Sequence, residues 1–246
     1  MKQIIKKACL NLIPYKFLKI ISQYSIEKIY IESNKFKISF SQQGEDIIIQ
    51  NFFENKNDGF YIDIGAYHPI KYSNTHALYL KGWKGINIEP NPEYFNLFQS
   101  IRKRDLNLNL GVSDRNDMLT FYKFNNPAVS TFMSDHATTW SKKENFFIEQ
   151  TLQIEVRPLD EIISVYKPNS LIIDLMSIDC EGMDFLVLRS NNWELYRPKM
   201  LLVEMPSYDN KNFCDNEIYL FLIANNYTLF AICGITAIFI DSRNAG

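Results

Sequence analysis

Five short apolar runs, each separated from the next by helical or irregular chain, limit what this sequence can fold into. They are Phe60–Ile64, Ile86–Glu89, Leu106–Val112, Leu171–Ile178 and Met200–Glu204. Between them, Ser73-Asn74-Thr75 offers caps for a helix through about Lys81, and Pro92 opens another through about Lys103. Leu159–Tyr166, a segment starting at Met183 and running to Arg189, and Glu217–Asn225 read as further helices. Ser41 reads as a cap for a helix over Ile47–Phe53, with Glu45 and Asp46 suited to its first turn. Strands apolar on both faces and alternating with helices predict a parallel sheet covered on both sides. Tyr227–Cys233 and Thr236–Asp241 lie close together around Gly234 and predict an antiparallel hairpin. The expected fold class is α/β: a Rossmann-like doubly wound sheet, mostly parallel, with a C-terminal antiparallel hairpin. Residues 115–158 are less regular. Met118–Phe124 and Gln153–Val156 read as strands, and Asn125–Trp140 as a polar loop, functional or mobile.

At 246 residues with 46% hydrophobic side chains, the chain can bury a sizeable core. Two regions are expected: a basic amphipathic helix and arm over 1–40, and the main domain over 41–246. Lys2, Lys6, Lys7, Lys16 and Lys19 precede the first acid, Glu27. Residues 1–24 therefore read either as a helix lying on an anionic membrane surface or as one packed on protein, and Pro14 interrupts it. A net charge of −2 does not point to nucleic acid. The four cysteines contain no Cys-x-x-Cys pair, so neither a disulfide framework nor a zinc site is expected, and no metal is assigned. A reducing, cytoplasmic location is expected, with membrane association open. No run of about 18 apolar residues predicts a membrane-spanning helix, and the N-terminus lacks the apolar core of a signal peptide.

Ligands of open parallel sheets bind beyond the carboxyl ends of the strands. Acids collect there: Asp63, Glu89, Asp114, Asp179 and Glu181. The loop after the first run, Gly65-Ala66-Tyr67-His68-Pro69, is incompatible with a dinucleotide fingerprint. Tyr67 and Ile70 stand where glycines would admit a pyrophosphate, and Pro69 removes a donor. A nucleoside without phosphate fits better. S-adenosylmethionine needs one small residue beside its amino-acid arm, which Gly65-Ala66 supplies. Glu89 follows Gly65 by 24 residues and can accept from both ribose hydroxyls. Val112-Ser113-Asp114 is placed to meet the adenine edge, and an acidic rim suits a sulfonium. Asp179 and Glu181 are two apart, so in extended chain they point the same way. They can act as base and orienting group or hold a divalent cation. Alternatively, one caps the following helix and the other faces the pocket.

Several ordered motifs resemble the FkbM-type methyltransferases. They are Ser41-Gln42-Gln43-Gly44-Glu45-Asp46, Gly59–Ala66, Ser73-Asn74-Thr75, Gly82-Trp83-Lys84-Gly85, Ile88-Glu89-Pro90-Asn91-Pro92 and Ser177–Gly182. The resemblance runs from about Ser41 to Glu204. It implies a class I, seven-stranded fold dependent on S-adenosylmethionine, and methyl transfer to a hydroxyl of a sugar, glycan or natural product. Carried over, the cofactor positions are Asp63, Gly65, Ala66, Glu89, Ser113 and Asp179; Tyr67, Pro90 and Asp114 adjoin them. Gln43 and Glu45 match a motif expected near the methionine end. Asp184 stands where the family more often has glutamate. The segment from Asn125 to Gln150 has no counterpart and is expected to set acceptor specificity. The candidate general bases are His68, Asp179 and Glu181, and His68 reads equally well as a turn residue. Tyr67 and Trp140 are candidates for stacking on a ring. Two rival readings stay open: a nucleotide-sugar or NAD-dependent enzyme on the same architecture, and a non-catalytic scaffold in a membrane-associated glycan assembly.

Overall fold

The structure, a computed structural model, describes residues 37–168, 170–205 and 213–244. The chain divides into two compact units, Met1–Ser39 and Phe40–Gly246. The expected helix over 1–24 and most of the arm over 26–40 lie outside the described residues.

The second unit is built on a seven-stranded sheet. Its strands are β1 (Phe60–Ile64), β2 (Lys84–Ile88), β3 (Leu106–Leu108), β7 (Leu175–Ile178), β8 (Met200–Glu204), β9 (Tyr227–Cys233) and β10 (Thr236–Asp241). They run in the order β3-β2-β1-β7-β8-β10-β9. The first five are mutually parallel, and β10 is antiparallel to both its neighbours. The strand order reverses between β1 and β7, which is where such sheets open a crevice for a ligand.

The period-2 alternation of strands explains why these runs are apolar throughout. Phe60, Ile62, Ile64, Ile86, Ile88, Met176, Ile178, Leu201 and Val203 face one layer. That layer is completed by α5 (Leu159–Tyr166), α6 (Asp184–Arg189) and α7 (Glu217–Ala224). Tyr61, Leu175, Met200, Leu202 and Ile238 face the other, with Ile49 of α1 (Glu45–Phe52) and Leu78 of α2 (His76–Leu80). Asp63 shares the parity of Tyr61 and therefore points to the α2 side.

Local capping agrees with the sequence at α3 (Pro92–Ile101), where the Asn91 side chain accepts the Glu93 N–H at 3.0 Å. At α1 the N-cap position is Gly44, with φ of 93°, and not Ser41. Ser41 still contributes, because its hydroxyl accepts the Asp46 N–H at 3.2 Å.

The third apolar run divides between two sheets. Leu106–Leu108 pairs with β2, whereas β4 (Gly111–Val112) pairs with β6 (Ile148–Arg157), which also carries β5 (Asp117–Phe124). Asn109 lies at the break, donating to the carbonyls of Glu89 and Pro90, each at 2.9 Å. The expected loop over Asn125–Trp140 contains a 3-10 turn, Pro127–Val129, and a helix, α4 (Ser134–Ser141). Its composition, SDHATTWS, has too little apolar periodicity to announce a helix.

Asp174 pins the entry edge of the sheet. It accepts the Phe60 N–H at 3.1 Å and pairs with Lys56 at 2.6 Å and Lys199 at 2.9 Å. Both lysines are about one third exposed, so most of the worth lies in the buried N–H bond. Asp174→Ala should lower unfolding free energy by about 2 kcal/mol. Urea denaturation checks this, and a loss below about 0.5 kcal/mol would contradict the pinning role.

Candidate active site

A cavity of about 600 Å³ opens at the carboxyl ends of β1, β2, β7 and β8. Its floor is the turn after β1. Gly65 has φ of +70°, and a Cβ there would stand 1.8 Å from the Asp179 carbonyl oxygen. Only glycine allows β1 and β7 to run out side by side at this point. Tyr67 has φ of 54°, a left-handed conformation that strains a non-glycine residue by about 1–3 kcal/mol. Glu89 holds it there. One carboxylate oxygen accepts the Tyr67 N–H and the other the Asn91 N–H, both at 2.7 Å. Glu89 is thus a buried clamp on the loop, and burial pushes its carboxyl up to about 8 against the pull of those two donors.

Beneath the loop lies Arg102, fully buried at the end of α3. Its Nε donates to the Pro69 carbonyl at 2.8 Å. One terminal nitrogen donates to the Tyr61 hydroxyl at 3.0 Å, and the other to Ser73 Oγ at 2.9 Å and Thr75 Oγ1 at 3.3 Å. Asp105 balances the charge at 3.6 Å and accepts the Tyr61 hydroxyl at 2.5 Å. Thr75 in turn donates to Asp63 at 2.7 Å. Burial raises the Asp63 carboxyl to about 6, opposed by that bond and by Arg102.

The opposite wall is the turn from β7 to α6. Asp179 and Glu181 both face the cavity, joined by Glu204 from the end of β8. The expected division of labour, one capping and one facing, is not what the chain does. Asp184 caps the turn, accepting the N–H groups of Cys180 at 3.0 Å and Gly182 at 3.2 Å. Nor does extended chain bring the pair together, since β7 ends at Ile178 and Glu181 has φ of 48°. Asp179, Glu181 and Glu204 are all raised by burial first; the charge of Asp184 adds to the rise of Asp179, and that of Asp179 to the rise of Glu181 and Glu204. Five carboxyl groups therefore line the cavity, with Lys71 the sole lysine or arginine on its wall among the described residues.

Of the remaining expected positions, Ala66, Tyr67 and Pro90 line the cavity. Ser113 and Asp114 stand just outside it; Leu110, Gly111 and Val112 form that wall. Gln43 and Glu45 are also off the wall, where Gln42 and Ile235 take their place. The Gln43 N–H donates to Glu45 at 2.8 Å, its carbonyl accepts the Cys233 thiol at 2.9 Å, and its side chain packs over Gly234. Gln43 attaches the chain before α1 to the C-terminal hairpin, and Glu45 holds the Gln43 backbone. His68 does not line the cavity. Its Nδ1 accepts the N–H groups of Ile70 and Lys71 at 3.1 and 3.0 Å, which closes the turn.

Residues from 126 to 146 complete the enclosure, Trp140 among them. The sequence offered no sign of Arg102, which reads as part of a basic run, Arg102-Lys103-Arg104. Glu204 was missed as well, although its place at the end of an apolar strand, like that of Asp63, is a signal that could have found it.

The strand order, the glycine turn and the strand-end acids together define a Rossmann-like methyltransferase. The model of the methyltransferase FkbM domain matches residues 63–229. The match spans more than half of the chain, and the protein belongs to the FkbM methyltransferase family. No curated protein matches the chain. No helix among the described residues is long and apolar enough to cross a membrane.

Arg102→Leu should cost at least about 3 kcal/mol, because it takes the guanidinium from the Pro69 carbonyl, Asp105 and three hydroxyls in a buried site. Urea denaturation measures the loss. A change under about 1 kcal/mol would show that the loop does not hang on this residue.

Proposed function

We propose that the protein transfers the methyl group of S-adenosylmethionine to a hydroxyl of a sugar, glycan or small natural product. One observation carries the reading: a single tight glycine turn opens onto a cavity lined by five carboxyl groups. The turn leaves no room for a phosphate cradle, as Tyr67 and Pro69 occupy it, but admits a slim amino-acid arm. The group supplies an electrophilic methyl on a sulfonium, whose charge matches the acidic wall.

The residues present fit that cofactor. Gly65 and Ala66 take the arm, and the unused lone pairs of Glu89 accept from ribose hydroxyls. Leu110, Gly111 and Val112 offer an apolar wall to the base. Asp179 and Glu181 fit as hydrogen-bonding partners of the ammonium or of the acceptor's hydroxyls. The acceptor's side is the wall of residues 126–146, where Trp140, Phe132 and Phe146 supply aromatic faces for a ring. Catalysis of this transfer rests on positioning, since the donor is already activated.

A thermal-shift comparison tests the reading. S-adenosylmethionine and its demethylated product at a hundred times Kd should each stabilise the protein by about 2.7 kcal/mol, and NAD and a UDP-sugar should not. No stabilisation by either adenosyl compound would sink it.

Charge linkage gives a second test. Carboxyl groups raised on folding hold protons that their unfolded counterparts have lost, so folded stability falls as pH rises from about 4 to about 8. A cationic ligand favours their ionised form. Binding of S-adenosylmethionine should therefore release protons near pH 6–7 and tighten toward pH 8. Calorimetry in buffers of different ionisation enthalpy reads this directly, and proton uptake would contradict it.

A further inference from the structure

The chain has three histidines, and the structure gives them three different situations. His68 is spent on the turn it closes. His76 is buried, and burial lowers its imidazole to about 2, so it stays neutral. His136 lies in α4 and lines the cavity. Its ring lies against Gly182: a Cβ there would stand 2.4 Å from Cε1 and 2.7 Å from Nδ1. Gly182, with φ of +101°, is thus the seat of the imidazole.

The helix that carries His136 is fastened over the acidic turn. The Thr131 hydroxyl donates to the Glu181 carbonyl at 2.9 Å and accepts the Met133 N–H at 2.9 Å. Ala137, the next residue, is buried with Phe124 and Val129. Among the described residues no hydrogen bond occupies either nitrogen of the His136 ring. Asp184 of the β7–α6 turn interacts with its charge, and the charged groups that share the cavity wall with it are Asp179, Glu181 and Glu204, with Asp63, Glu89 and Lys71. On its own helix Asp135 adjoins it, and Lys143, just beyond the helix, sits over Trp140. Burial raises the Asp184 carboxyl, but its two backbone N–H donors and the charge of His136 oppose that rise, so an imidazolium at His136 and a carboxylate at Asp184 favour each other.

We propose that His136 is the general base that takes the acceptor's proton. The inference rests on the methyl-transfer reading above. In the step, the acceptor oxygen forms its bond to the methyl carbon as the sulfur–methyl bond breaks. The electron pair of that bond stays on sulfur, leaving a neutral thioether. The hydroxyl proton passes to a free ring nitrogen of His136, and the resulting imidazolium loses it to solvent. Asp179 and Glu181 orient the reactants, and the imidazole accepts the proton.

Three imidazoles make the test tractable in the full-length protein. Carbon-13 labelling at histidine Cε1 gives three resonances, assignable with H68Q and H136N. The His136 resonance should differ between the complex with S-adenosylmethionine and that with the demethylated product, because only the former places a positive sulfur beside it. An identical His136 resonance in the two complexes overturns the proposal. If neither ligand raises the melting temperature nor moves any imidazole, the methyl-transfer reading itself fails. Transfer of tritiated methyl to a mixture of mono- and oligosaccharides supplies a second readout. H136N should lower kcat 10²- to 10⁴-fold and leave the affinity for the demethylated cofactor within about threefold. An unchanged kcat overturns the assignment.

Discussion

The Arg102 guanidinium is the interaction on which the site depends. A charge with no exposed surface survives only if its donors are met and a counter-charge is near. Here Tyr61, Pro69, Ser73, Thr75 and Asp105 meet those needs. The five partners come from four parts of the frame: a strand, the first loop, the start of α2, and the turn into β3. Through Thr75 the same arginine sets the position of Asp63. One buried side chain therefore couples the floor of the cavity to the sheet beneath it.

Backbone strain and buried charge are concentrated around the same cavity. Tyr67, Tyr72 and Glu181 are non-glycine residues with positive φ, and all three line it. Such conformations persist only where neighbours over-determine them. Glu89 and Arg102 do so on one side, and Asp184 and Thr131 on the other. The carboxyl groups raised by burial are the second expense, and a cationic ligand relieves it.

Elements with strong local patterns were legible in the sequence. Met200–Glu204, Tyr227–Cys233 and Thr236–Asp241 take the predicted bounds, because an apolar or alternating run between turn residues needs no distant information. Residues 106–112 were misleading as one strand, since an apolar run does not say which of two sheets it joins. Ser134–Ser141 was invisible as a helix, because Thr131, Ala137 and the acidic turn hold it in place and its own propensity does not. The two histidines show the same limit. His68 stands beside the informative loop yet bonds to that loop's backbone, whereas His136, in an unremarkable polar stretch, reaches the cavity.

The sequence by itself determined the alternation of strands and helices, and hence a doubly covered parallel sheet with acids at its carboxyl end. Through Tyr67, Pro69 and Ile70 it also departed from the glycine pattern that a pyrophosphate cradle needs. These follow from period, propensity and the size of side chains, all of which are local. Only the tertiary structure decided which acids share one cavity, which of them cap or clamp, and which histidine faces inward. Those outcomes depend on β1 lying beside β7 and on Arg102 lying under the loop. Such contacts join residues far apart in the chain, and no short stretch of sequence encodes them.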